Sequence, residues 1–115
     1  MAYDIPLLRC GQHYSGEDLS DNQYRAVKVN SSSQVVLAGA TEAIAGVLQN
    51  KPENGQSCLI EMKGISRGVL GATVASGAEV EVDSNGKFVT YSAGIKVGYC
   101  LEGGDADEIG TIKLY

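Results

Sequence analysis

Two alternating runs, Val80-Glu81-Val82 and Lys87-Phe88-Val89-Thr90-Tyr91, flank the tetrapeptide Asp83-Ser84-Asn85-Gly86. Alternation with period two puts the valines on one face of a half-buried strand, and Asn-Gly accepts the positive φ of a tight hairpin turn. Such a segment does not fit an amphipathic helix, whose apolar positions recur every three to four residues.

The same period runs through the rest of the chain. Tyr24-Arg25-Ala26-Val27-Lys28-Val29 and Gln34-Val35-Val36-Leu37-Ala38 flank Ser31-Ser32-Ser33 and read as a second hairpin. Ile44 to Gln49 is a further strand, stopped by Asn50-Lys51-Pro52-Glu53-Asn54-Gly55, where Pro removes a ladder donor and Asn-Gly favours a turn. Residues 56–65 read as one strand, with Cys58, Ile60 and Met62 on one face and Ser57, Glu61 and Lys63 on the other. Lys96 to Glu102 and Ile109 to Leu114 close the chain as strands around the polar loop Gly103 to Glu108. Helical signals are weak: Glu17 to Tyr24 is compatible with one turn, and the glycines bounding Gly71–Gly77 suit a bend or short strand. About eight short strands, with 15 glycines in 115 residues, predict an all-β fold, a small barrel or sandwich. No internal repeat of fixed period is visible. Residues 1–23 lack strand alternation and are expected to form an extended N-terminal arm with little core contact, leaving 24–115 as the β domain.

A chain of 115 residues is one domain by the usual length prior. Its net charge of −5 and its scattered nine Lys and Arg exclude the basic patch that nucleic-acid binding requires, and disfavour anionic membranes. The start of the chain, with Asp4 and Pro6 and no basic run, does not read as a signal peptide, and no apolar run spans a bilayer. Three cysteines at wide spacing do not make a disulfide framework; Cys58 and Cys100 lie in apolar runs and read as buried, in an intracellular chain. Asn30-Ser31-Ser32 fits a glycosylation sequon but reads as turn chemistry.

Chemistry is sparse. The single histidine, His13, lies in the presumed arm beside no nucleophile motif. Cys10-x-x-His13 is half of a metal site without its other half, and Asp105 to Glu108 lacks a calcium-loop pattern. Gly64-x-x-x-Gly68 and Gly94-x-x-x-Gly98 lack the ending of a phosphate loop and read as bulges or places of close backbone approach. Met62-Lys63 is similar to the modified dipeptide of biotin and lipoyl carriers, but falls in or at the end of a strand rather than on a hairpin tip. Glu79 and Glu81 occupy one strand face opposite Val80 and Val82 and read as its solvent face. No catalytic residue, metal site or cofactor is expected, and the chain is a poor enzyme candidate.

Ala43-Ile44-Ala45-Gly46-Val47-Leu48-Gln49-Asn50-Lys51-Pro52-Glu53-Asn54-Gly55-Gln56 resembles a strand–turn signature of tailed-phage capsid decoration (cement) proteins. Val35 to Ala40, Gly64-Ile65 with Gly71-Ala72 and Ala75 to Ala78, Asp83 to Lys87, and Gly98 to Glu102 with Asp107 to Gly110 resemble other pieces of that family in order. A similar start, Tyr3-Asp4-Ile5-Pro6, precedes them; Gly103-Gly104-Asp105 and the three cysteines depart from the family pattern.

The resemblance implies a β-tulip barrel, related in role to lambda-type decoration proteins. It implies a homotrimer that binds the major capsid protein at three-fold and quasi-three-fold positions and reinforces the expanded shell. The location would be the outer capsid surface of the virion, after synthesis in the host cytoplasm. Residues 2–14 are expected to order on the capsid as an added strand, with Tyr3, Ile5, Leu7, Leu8 and Tyr14 as capsid-binding anchors. The rival readings are a tail-tube or head-fibre component of a phage, and a carrier domain using Lys63.

Overall fold

The computed structural model describes residues 8–115, with residues 8–13 described through their backbone alone. Ten strands follow one another: β1 (Leu8–Tyr14), β2 (Ala26–Val29), β3 (Val35–Leu37), β4 (Gly46–Leu48), β5 (Ser57–Glu61), β6 (Gly64–Val69), β7 (Glu79–Val82), β8 (Phe88–Thr90), β9 (Gly98–Glu102) and β10 (Ile109–Leu114). No helix occurs among the described residues, so none is long and apolar enough to cross a membrane. The all-β expectation holds, with ten strands rather than about eight.

The strands form two five-stranded antiparallel sheets, β1-β5-β4-β2-β3 and β6-β10-β9-β7-β8, rather than a closed barrel. Both predicted hairpins are present: Val27 pairs with Leu37, and Val82 with Phe88. In the second, Gly86 takes a φ of +74°. The stretch read as one strand over 56–65 is broken, because Gly64 adopts a φ of +104°. That left-handed residue turns the chain out of the first sheet, which ends at Glu61, and into the second.

The two orders are the same order. Adding five to each strand number of the first sheet gives the second. The likeness extends to single hydrogen bonds. Ser15 bridges Val35 in parallel as Leu70 bridges Phe88. The Gly16 N–H donates to Val35 O as Gly71 N–H does to Phe88 O, and Tyr24 N–H donates to Leu48 O as Gly77 N–H does to Cys100 O. Leu19 N–H to Pro52 O matches Val74 N–H to Gly104 O. In the two hairpin turns Asn30 Oδ1 accepts from Ser32 and Gln34 N–H, and Asp83 Oδ1 accepts from Asn85 and Lys87 N–H. The chain is therefore a structural duplication of one five-strand unit, although no repeat is visible in its sequence. Parallel bridges at β3 and β8 also occupy the outer edges of those strands, which limits unwanted strand addition there.

The units stack front to back. The front of the first sheet carries Val27, Val35, Leu48 and Ile60, which form one buried cluster with Leu19 and Cys58. The corresponding front of the second sheet carries Val80, Phe88, Cys100 and Ile112. These pack with Ala26 and Val47, which lie on the back of the first sheet. The first sheet is thus buried on both faces, and burial of this apolar surface is the main favourable term in folding. The expectation that 1–23 makes little core contact fails at Leu19, which is fully buried over the first front face beside buried Pro52. Too short an apolar pattern surrounds it to reveal this: a single leucine in a polar loop serves as a plug.

Candidate functional site

Two features of the described residues remain open once the two sheets have stacked: the back of the second sheet, and a groove lined by residues of both units.

The back of the second sheet is built by cross-strand neighbours. Ile65, Lys113, Tyr99 and Glu79 form one row across β6, β10, β9 and β7. Arg67, Thr111 and Glu102 form the next, and Val69 with Ile109 a third. A bulge between Thr111 and Ile112 places Leu101 beside these rows. Ile65 is 57% exposed, Ile109 55%, Leu101 42% and Tyr99 37%, so the face exposes large apolar side chains among its charged ones. On the first sheet the equivalent positions are Glu61, Val47 and Ala26, all buried.

The groove has a volume of about 210 Å³ and is lined by Ile44, Met62, Ile95, Val97, Leu114 and Tyr115, among others. Carboxylates hold its walls. Glu42 accepts the Gly39 N–H at 2.6 Å and is ion-paired with Lys28, which holds its carboxyl below the usual range. Glu79 accepts from the Tyr115 hydroxyl at 2.7 Å and pairs with Lys96 at 3.2 Å; the tyrosine bond, then the lysine, lower the Glu79 pKa, and the bond to Glu79 raises that of Tyr115. Glu81 accepts from Ser92 N–H at 2.6 Å, Ser92 Oγ–H at 3.0 Å and Ala93 N–H at 3.4 Å, and the Ser92 backbone bond leads in lowering its pKa. Glu81 is therefore buried beneath a loop and not on a solvent face, a correction to the alternation reading. Glu61 is also buried, and its carboxylate has no hydrogen bond or ion pair among the described residues; burial raises its pKa.

Among the expected capsid-binding anchors, Tyr3, Ile5 and Leu7 lie outside the described residues. The Leu8 backbone stands opposite Ile60 in the β1–β5 ladder, and Tyr14, at the end of β1, is half exposed. Lys63 is exposed at the link between β5 and β6. Cys58 and Cys100 are buried as expected, and burial pushes the Cys100 thiol up. Among the described residues, no three His, Cys, Asp or Glu side chains gather as a metal site. The close approach read at Gly68 is present: a Cβ there would lie 2.8 Å from Phe88 Cδ2. Sequence reasoning missed the groove and the open sheet back, because neither is a motif; both follow from how the units stack.

A family model described as phage cement protein matches residues 17–114. No curated protein matches. Among solved structures, the N-terminal base of the head fibre protein gp8.5 of bacteriophage phi29 is similar, with a TM-score of 0.77 and 13% identity over 90% of each chain. At that identity the likeness shows the fold.

Proposed function

The chain belongs to the phage cement protein family and is a bacteriophage virion structural protein, and from that premise we propose that it binds the outer surface of the expanded capsid and stabilises the shell. The binding unit in this reading is a homotrimer seated at three-fold and quasi-three-fold positions on the major capsid protein. The protein is made in the host cytoplasm and acts by contact, without catalysis, cofactor, nucleic acid or membrane. The observation that carries the reading is the extent of the family match, which runs from Glu17 to Leu114 and takes in β2 to β10.

In this reading the start of the chain supplies capsid contacts through Tyr3, Ile5, Leu7, Leu8 and Tyr14. An extended segment can add to a partner's sheet, gaining main-chain hydrogen bonds while its apolar side chains give specificity. Ordering each residue costs about 1–2 kcal/mol, which several tethered copies offset by raising the effective concentration.

The test is co-sedimentation of the purified protein with heads that lack it, counting bound copies. Saturation at one trimer per local three-fold position is expected; absence of binding by a folded sample overturns the reading. Removing residues 2–7 is expected to weaken binding and leave the melting temperature unchanged. A second reading, a head-fibre component, draws on the fold likeness to the phi29 fibre base. It predicts few copies per particle, located at fibres rather than across the shell.

A further inference from the structure

The groove between the units lies where β4 and β9 begin and β5 and β10 end. Ala43 to Gly46 and Ile95 to Val97 lead into the first pair, and Met62 and Leu114 with Tyr115 close the second. β1 runs antiparallel to β5, so it begins at this same end, with Leu8 opposite Ile60. The chain therefore enters β1 beside the groove, since Met62, which lines it, is two residues beyond Ile60.

The ladder itself decides where the entering chain parts from β5. Gln49 N–H donates to Leu59 O, so Leu59 turns its backbone to β4, and the alternate residues Ile60 and Met62 turn theirs to β1. The residue due opposite Met62 is two before Leu8, and it is Pro6. Proline has no N–H to donate, so the β1–β5 ladder cannot run on unbroken past Met62. Met1 to Ile5 come before that point. Five extended residues reach about 16 Å, enough to cross neighbouring strands that lie roughly 4.8 Å apart.

Groove and segment match in size and charge. A volume of about 210 Å³ is below the roughly 300–1,000 Å³ of small-molecule sites, and suits one or two side chains instead. The walls offer Ile44, Met62, Val97 and Leu114, and Ile95 is still 43% exposed. Lys96 is the one charged residue of the lining, and its side chain stays half exposed although it pairs with Glu79. In residues 1–7 the one charged side chain is Asp4, next to Ile5.

We propose that the groove is the docking site of this chain's own first residues in the free protein, with Ile5 seated in it and Asp4 beside Lys96. A segment tethered next to its site competes at an effective concentration on the order of millimolar, which favours it over a second copy. The proposal goes beyond the head-binding reading, since it holds with no capsid present; where both hold, the capsid takes these residues from the groove. The docked segment opens locally, below the global transition, so its loss leaves the melting temperature in place.

The experiment is NMR on the full chain with labelled methyl groups, with thermal melts as the folding control. Cross-peaks between the Ile5 methyls and those of Met62, Ile44 and Ile95 are expected. Ile5→Asp is expected to remove them and to shift the Met62, Ile44 and Ile95 methyl signals, leaving Leu19 and Val27 of the first front cluster unmoved. Ile95→Asp, at an exposed position, is expected to remove the Ile5–Met62 cross-peaks without lowering the melting temperature. Absence of these cross-peaks in the wild type overturns the proposal, as do Met62 and Ile44 signals indifferent to Ile5→Asp. Shifts that reach Leu19 and Val27 overturn it as well, by making Ile5 part of the body of the fold. In an equal mixture of labelled and unlabelled chains, cross-peaks that join different copies also overturn it, by giving the groove to a second copy. Ile5 seated in the groove with no head binding supports it and counts against the cement reading alone.

Discussion

Glu61 and Lys113 stand at the same place in two versions of one sheet, opposite Val47 and Tyr99 respectively. Lys113 is exposed and Glu61 is buried, because only the first unit's back has a sheet stacked on it. Burial without a partner disfavours the charged carboxylate and raises its pKa from the ordinary 4.5. A raised pKa means the folded chain holds the proton more tightly than the unfolded one. The stabilisation is full below 4.5 and is lost as pH rises through the raised value. Glu61→Gln keeps the shape and removes the charge. It is expected to melt higher than wild type at pH 7, with the gap closing toward pH 4; equal melting curves at both pH values would show that the site is not strained by charge. Gly68 is constrained by space instead. A Cβ would meet Phe88 Cδ2 at 2.8 Å and Ile112 Cγ1 at 2.9 Å, and both neighbours are fully buried. Gly68→Ala is expected to cost about 1–3 kcal/mol by overpacking, measured by chemical denaturation.

The paired hairpins β2–β3 and β7–β8 permit an internal comparison at the level of elements. Their turns share the same side-chain acceptor bonds from Asn30 and Asp83, and the same left-handed position, Ser33 at φ +60° and Gly86 at +74°. Only glycine adopts that region without a steric cost, roughly 1–2 kcal/mol for other residues. Ser33→Gly is therefore expected to stabilise by about 1 kcal/mol, raising the melting temperature by a few degrees. Gly86→Ser is expected to destabilise by more, since a Cβ there also meets Leu37 Cδ1 at 2.7 Å. These hairpins were legible in the sequence because alternation and turn residues are local. Glu81 was not. It occupies the place that Lys28 holds in the first hairpin, and the loop above it is satisfied differently in each unit. In the first, Gly39 N–H donates to Glu42, which pairs with Lys28; in the second, Ser92 N–H donates to Glu81 directly. Alternation assigns a face to a side chain, but not whether a loop folds over it. The capsid anchors were drawn from a resemblance, and three of them precede the described residues, so their legibility rests on head binding.

A duplicated chain poses a question at the scale of the whole molecule: whether its two units unfold together. Each sheet has its own front cluster, but Ala26, Ala38 and Val47 of the first unit belong to the cluster of Phe88, Cys100 and Ile112 in the second. The second unit's front would face water if the first unfolded, so neither sheet has a complete core alone. Leu19 tests this, because it lies at the far end of the stack. It is fully buried among Val27, Val35, Leu48 and Ile60, and its N–H donates to Pro52 O at 2.9 Å. Leu19→Ala leaves a cavity and is expected to cost about 2–5 kcal/mol. In a single cooperative body that loss is shared by every amide that exchanges only through global unfolding. Native-state hydrogen exchange should therefore show the Cys100 and Ile112 amides losing as much protection as the Leu48 and Ile60 amides. Loss confined to the first sheet would mean that the units are stacked modules. A front-to-back interface large enough to couple them is the same geometry that leaves the second sheet's back uncovered, so cooperative unfolding and an open end share one cause.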